Sequence, residues 1–126
     1  MEQERVERLL VQWEETYKKG LLSFWLLLLL SQRKAYPYEM KEAITELSQN
    51  TISADENSIY RSLNRLSQSG VVESKMQASE TGPDRRYFYL TELGRELLKR
   101  FIARNIQVFQ LPRVADLIQQ SLALEK

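Results

Sequence analysis

Apolar positions along the chain change period twice, and each change marks a boundary between elements. From Glu2 to Lys19 no residue breaks a helix, and Val6, Leu9, Leu10, Trp13 and Tyr17 fall at helical spacing on one stripe. Gly20 follows, a residue type common just past a helix end, and predicts that the first helix closes there. Leu21 to about Arg33 reads as a second helix, apolar almost all round and therefore buried on most sides. Tyr36-Pro37 then punctuates, because a residue before proline avoids helical angles. A third helix, from about Tyr38 to Leu47, turns Met40, Ile44 and Leu47 inward. After the polar turn Ser48 to Ser53 a fourth helix starts near Ala54, with Ser53 placed to cap it and Asp55 and Glu56 suited to its first turn. Its inner stripe is Ile59, Leu63 and Leu66, and Gly70 ends it.

The period next falls to two. Val72, Ser74, Met76 and Ala78 alternate with Glu73, Lys75 and Gln77, a strand pattern, and the turn around Gly82-Pro83 leads into a second strand from Arg85 to Leu90. Together they predict a hairpin with a basic tip. Thr91 caps a long helix whose apolar face holds Leu93, Leu97, Phe101, Ile102, Val108 and Phe109, and Pro112 sits at a first helical position to open the last one. The predicted fold class is mainly α with a small β part: a winged helix-turn-helix domain over residues 21–98, flanked by helical segments at 1–20 and 99–126.

Composition narrows the chemistry. With 126 residues, 43% hydrophobic and 28% charged, the chain is an ordinary one-domain globular protein. It has no cysteine and no histidine, which removes disulfides, thiolate metal sites, the commonest metal ligand and the usual general base. An enzyme would need carboxylate, lysine or tyrosine chemistry, and no clustered pair of these stands at a suitable spacing. No metal or cofactor is expected. The apolar run Leu21 to Leu30 is half the length of a bilayer span and lacks a cleavage site after it, so a core helix of a cytoplasmic protein is expected. A net charge of +1 gives no global sign of a nucleic-acid partner, so that inference has to come from where the charges sit.

They sit on the fourth helix. Its outer face carries Asn57, Tyr60, Arg61, Asn64, Arg65 and Gln68, with no carboxylate after the first turn. Arginine and asparagine are the side chains that contact guanine and adenine edges in pairs of hydrogen bonds. Asn64 and Arg65 lie at mid-helix. Asn57 and Ser58 lie near the N-terminus, where free backbone amides favour phosphate. Read alone, this is also what a solvated helix face looks like. Arg85 and Arg86 at the mouth of the hairpin can reach phosphates or the minor groove, although Asp84 and Glu80 offset part of their charge. Tyr60 is either a phosphate donor or a polar-tipped core residue, and Trp25, Tyr87 and Tyr89 read as packing.

Three motifs in order resemble the PadR-like transcriptional regulators: Tyr36-Pro37-Tyr38-Glu39-Met40, the helix segment Asn57-Ser58-Ile59-Tyr60-Arg61-Ser62-Leu63-Asn64-Arg65-Leu66, and the wing segment Gly82-Pro83-Asp84-Arg85-Arg86-Tyr87-Phe88-Tyr89-Leu90-Thr91-Glu92-Leu93-Gly94. The chain departs from the family pattern at Pro37, where glycine is usual, at Arg61, where proline is common, and at Phe88, where tyrosine is frequent. The resemblance implies a dimeric, winged-helix repressor binding double-stranded operator DNA, and it favours a DNA contact for Tyr60. Within the resemblance, the long N-terminal helix points to the subgroup that modifies the circadian clock as the closer relative, a repressor responding to a small aromatic compound being the alternative. Tryptophan occurs only at 13 and 25, so the stacking indole of the drug-sensing members has no counterpart on the helix after the wing.

The flanking helices carry apolar stripes that a winged helix does not require: Val6, Leu9, Leu10, Trp13 and Tyr17 at one end, Phe109, Val114, Leu117, Ile118 and Leu122 at the other. Burial against a second copy is the economical expectation, since helix-turn-helix proteins commonly read two half-sites as dimers. The rival from another class is a winged-helix module that holds a protein partner without binding DNA, which near-zero net charge favours.

Overall fold

The computed structural model describes residues 1–79 and 82–123. Helix α1 runs unbroken over Glu2–Leu30, so the two helices expected on either side of Gly20 are one. A glycine ends a helix by turning left-handed. Among the described residues only Gln49, Asn50 and Gly70 have positive φ, so Gly20 stays helical despite its low propensity. The two parts of α1 differ in what they touch: Leu26, Leu27, Leu29 and Leu30 are buried, whereas residues 1–13 are exposed. The helix stops at Leu30, three residues earlier than its pattern predicted.

Helix α2 spans Pro37–Leu47, with proline at its first position and the Tyr36 N–H donating to Glu39 Oε1 at 3.2 Å. Met40 and Ile44 are buried as expected, but Leu47 is exposed: it is the last helical residue, where Gln49 and Asn50 turn the chain away. The buried Ser48 hydroxyl accepts the Ile52 N–H at 3.0 Å and so closes the connection to α3. Helix α3 covers Glu56–Gln68. It begins two residues later than the expected Ala54, because Asp55, not Ser53, caps it. Ile59 and Leu63 are fully buried beneath it, and Leu66 is half-buried.

Strands β1 (Val72–Gln77) and β2 (Arg85–Leu90) pair antiparallel, Val72 opposite Leu90 and Gln77 opposite Arg85. Ala35, in the α1–α2 connection, exchanges two backbone hydrogen bonds with Phe88 at 3.1 and 2.8 Å, adding a rung to the free edge of β2. Phe88 and Leu90 face the core and Tyr87 and Tyr89 the other side. Thr91 then caps helix α4 (Glu92–Phe101): its hydroxyl accepts the Gly94 N–H at 3.0 Å and lies 2.7 Å from the Gly70 carbonyl oxygen. One residue thereby ties the end of α3 to the start of α4.

The apolar face expected on α4 is only partly used. Leu93 and Leu97 are exposed, and the helix docks instead through Gly94 and Leu98, with Phe101 stacked on Phe24 at 5.5 Å. A tight approach at Gly94 turns the helix so that the leucine stripe faces outward. Past Phe101 the chain makes a π-helical turn over Ile102–Ile106 and a 3-10 turn over Gln107–Gln110, then α5 over Pro112–Ala123, which buries no residue. Among the described residues no helix is long and apolar enough to cross a membrane.

Two glycines should respond oppositely to alanine. A Cβ on Gly94 would collide with the Val71 carbonyl oxygen and lie 2.7 Å from Leu90 Cδ1, so Gly94→Ala should lose about 1–3 kcal/mol in urea unfolding. A Cβ on Gly20 meets nothing within 4 Å, and Gly20→Ala should gain about 0.5–1 kcal/mol. A loss at Gly20 would mean that something outside the protomer occupies that side.

Candidate nucleic-acid interface

Helix α3 advances 100° per residue and therefore sorts its exposed residues onto three flanks. Asn57, Arg61, Asn64 and Gln68 share the outermost ridge. Tyr60 leans toward the wing, where its ring meets Phe88 edge-on at 6.4 Å. Ser58, Ser62 and Arg65 line the opposite side, along a groove of about 880 Å³ that α3 forms with Glu14, Glu15 and Lys18 of α1 and that Arg61 also borders. The sequence pairs Asn64 with Arg65 as mid-helix readers; the structure sets Asn64 beside Arg61 on the ridge and Arg65 on the flank. Arg61 Nη2 donates to Ser58 Oγ at 3.1 Å and Arg65 Nη2 to Ser62 Oγ at 3.2 Å, each serine one turn earlier on the helix.

Asp55 holds the front of this helix. Its Oδ1 accepts the Ser58 N–H at 2.7 Å. That backbone hydrogen bond is the main reason its carboxyl is pulled below the ordinary 3.8, helped by the Ser58 hydroxyl and by the charges of Arg61 and Lys41.

Alternation along β2 sends its two arginines to opposite faces. Arg86 shares a face with Ser74, to whose Oγ its Nη1 donates at 2.9 Å, on the side toward α3. Arg85 stacks over the Tyr36 ring, 4.3 Å from its centroid. On that outer face Tyr87 meets Tyr36 edge-on at 5.2 Å, with the Lys34 ammonium 5.3 Å away. The Tyr89 hydroxyl donates to Glu73 at 3.4 Å and titrates above its ordinary range, through partial burial first and the Glu73 charge second. Glu80, expected to offset the wing arginines, lies outside the described residues. Lys34 escaped the sequence reading because only the Ala35–Phe88 rung brings it to the wing, where its Nζ donates to Gln77 at 2.7 Å.

The charge state of the site follows from its partners. Among the described residues the ion pairs are Met1–Glu4, Lys18–Glu14, Arg33–Glu39 and Arg100–Glu96, and none involves Arg61, Arg65, Arg85 or Arg86. No group of three or more acidic side chains gathers among the described residues to hold a metal ion.

Three helices, a paired wing and an outward helix without a carboxylate beyond its first turn define a winged helix-turn-helix protein. The chain belongs to the transcriptional regulator PadR-like family, which it matches over residues 26–100. It is a transcriptional regulator by class and not an enzyme. Among solved structures it is similar to a Streptococcus transcriptional regulator at 30% identity, covering 73% of this chain and 88% of that one, TM-score 0.63. A PadR-like regulator of Bacillus cereus is 29% identical, covering 85% and 96%, TM-score 0.64. Bacillus subtilis PadR, crystallised in complex with operator DNA, shares the fold at 22% identity, covering 68% and 48%, TM-score 0.62. The match is to the family as a whole and gives the circadian subgroup no support.

The cap makes a pH-dependent expectation. A carboxyl whose folded value is depressed adds stability above its ordinary 3.8 and loses it as pH falls through the lower folded value. Asp55→Ala should therefore lower the thermal midpoint at pH 7, and the gap to the parent should shrink below about pH 3.8. A gap of equal size at both pH values would show that the charge plays no part.

Proposed function

We propose that this protein is a homodimeric, cytoplasmic repressor that binds double-stranded DNA by sequence, with α3 in the major groove and the wing at the flanking backbone or minor groove. The ridge carries the reading: Asn57, Arg61 and Asn64 project together, and among the described residues no arginine of α3 or the wing forms an ion pair. Asn64 and Arg61 are the base readers, with Asn57 and Ser58 at the helix front. Arg65 on the flank, Tyr60, Arg85 and Arg86 hold the backbone. The operator complex of Bacillus subtilis PadR supports this use of the fold.

The flanking segments, residues 1–20 and 99–126, are assigned to the dimer, residues 124–126 lying outside those described. Val6, Leu9, Leu10, Trp13 and Tyr17 of α1 are all exposed, as are Phe109, Leu117, Ile118 and Leu122; Val114 is half-buried. Trp13 is 74% exposed and Leu122 76%, and side chains of this size contribute about 1.5–3 kcal/mol each when removed from water. A second copy offers both stripes the same chemistry in return, and spaces two recognition helices about 34 Å apart along one face of the duplex.

Asn64→Ala or Arg61→Ala should relax sequence preference and lose about 1–3 kcal/mol on the preferred site. Arg86→Ala should weaken all duplexes alike and reduce the salt slope by about one phosphate. Gel shifts over a salt series separate the two patterns. A chain that shows no salt-dependent duplex binding would instead be the protein-holding module that a net charge of +1 allows.

Trp13→Glu should convert the dimer to a monomer in sedimentation, with operator affinity falling steeply while the circular dichroism of the winged-helix core is kept.

A further inference from the structure

Between the front of α2, the wing side of α3 and the inner face of the wing lies a slot of about 330 Å³. Three of the side chains around it are large and unusually bare: Tyr38 at 50% exposure, Tyr60 at 38% and Met76 at 53%. The pattern of β1 explains why Met76 is there. Val72, Ser74 and Met76 share one face, and burial falls along it from complete to partial to open as the strand leaves the core. Met76 stands directly opposite Arg86 in the register, and Arg86 is steadied by Ser74. The slot thus has a cationic wall of Arg86 and Arg85, the phenol groups of Tyr36, Tyr38 and Tyr60 and an apolar floor of thioether and ring, with the carboxylates of Glu56 and Asp84 also on its lining.

Resting on the DNA-binding reading above, we infer that this slot seats one deoxyribose–phosphate strand of the duplex, and that Tyr38 and Met76 select deoxyribose over ribose. The argument is geometric. When α3 occupies the major groove and the wing reaches the minor groove beside it, the strand that divides the two grooves has to pass between them. The phosphate meets Arg86 and the Tyr60 hydroxyl. The sugar meets the Met76 thioether and the Tyr38 ring. A 2′-hydroxyl at that sugar is pressed against methionine, which offers only a weak acceptor, and loses its water without a good replacement. Neither Tyr38 nor Met76 has an evident task within the protomer that requires its exposure, and a bare methionine on a strand beside an arginine suits a sugar face better than water.

The test uses a duplex selected by this chain from a random library, with single ribonucleotides placed in turn along each strand. One position per half-site should weaken binding at least about fivefold, and Met76→Ser, which offers the hydroxyl a partner, should erase that difference while leaving the salt slope unchanged. Tyr38→Ala should reduce the same difference, and circular dichroism checks that both variants fold. Indifference of the parent to every ribonucleotide, or a penalty that survives Met76→Ser, overturns the inference and leaves sequence-specific DNA binding in place. Failure of the parent to bind any duplex overturns that underlying reading as well.

Discussion

The junction of Gly70, Val71, Thr91 and Gly94 is the constraint on which the interface depends. A winged helix works as a unit only if the wing keeps a fixed angle to the helix it accompanies. Here the Thr91 hydroxyl caps α4 at Gly94 while lying against the carbonyl oxygens of Gly70 and Val71, and the missing Cβ at Gly94 lets α4 lie directly on the Val71 backbone. The end of α3, the start of β1, the end of β2 and the start of α4 therefore meet within four residues. Phe88 and Leu90 are buried beneath this joint, and the Ala35 rung ties the far edge of the wing to the end of α1.

Rigidity of that joint has an electrostatic use. Arg61, Arg65 and Arg86 each donate to a serine hydroxyl, Ser58, Ser62 and Ser74, and keep their charge, since a hydroxyl orients a guanidinium but does not neutralise it. A carboxylate in the same place would form an ion pair that a phosphate has to break. Serine at these three positions thus orders the cations in advance and reduces the side-chain entropy lost on binding.

Much of this was legible in the chain. The switch from helical to alternating period located the wing to within a residue, and Thr91 and Pro112 marked their helix starts, because caps and proline act through local backbone chemistry. The errors share a different cause. Gly20 reads as a stop by residue type, but a glycine ends a helix by turning left-handed, and Gly20 has no positive φ. Period alone turns Leu93 and Leu97 inward; which stripe of α4 faces the core is set by contact at Gly94, a property of the joint and not of the helix. For the same reason Arg65 could be placed on an outer face but not on a particular flank, and the partnership of Lys34 with the wing depended on a rung between distant residues.

The continuity of α1 has a mechanical consequence. At 1.5 Å per residue its 29 residues make a rod of roughly 43 Å. One end is anchored in the core beside α3, and the other bears the stripe assigned to the twofold contact. With no break between them, the rod is a lever, and in the proposed dimer the mutual angle and sliding position of two such levers would fix the separation of the two reading heads. Sliding by a single heptad moves a head about 10 Å, close to a third of a duplex turn, and carries it off the face of the double helix that its twin occupies. A molecule that bound between the levers would not need to touch α3 to uncouple it from its site.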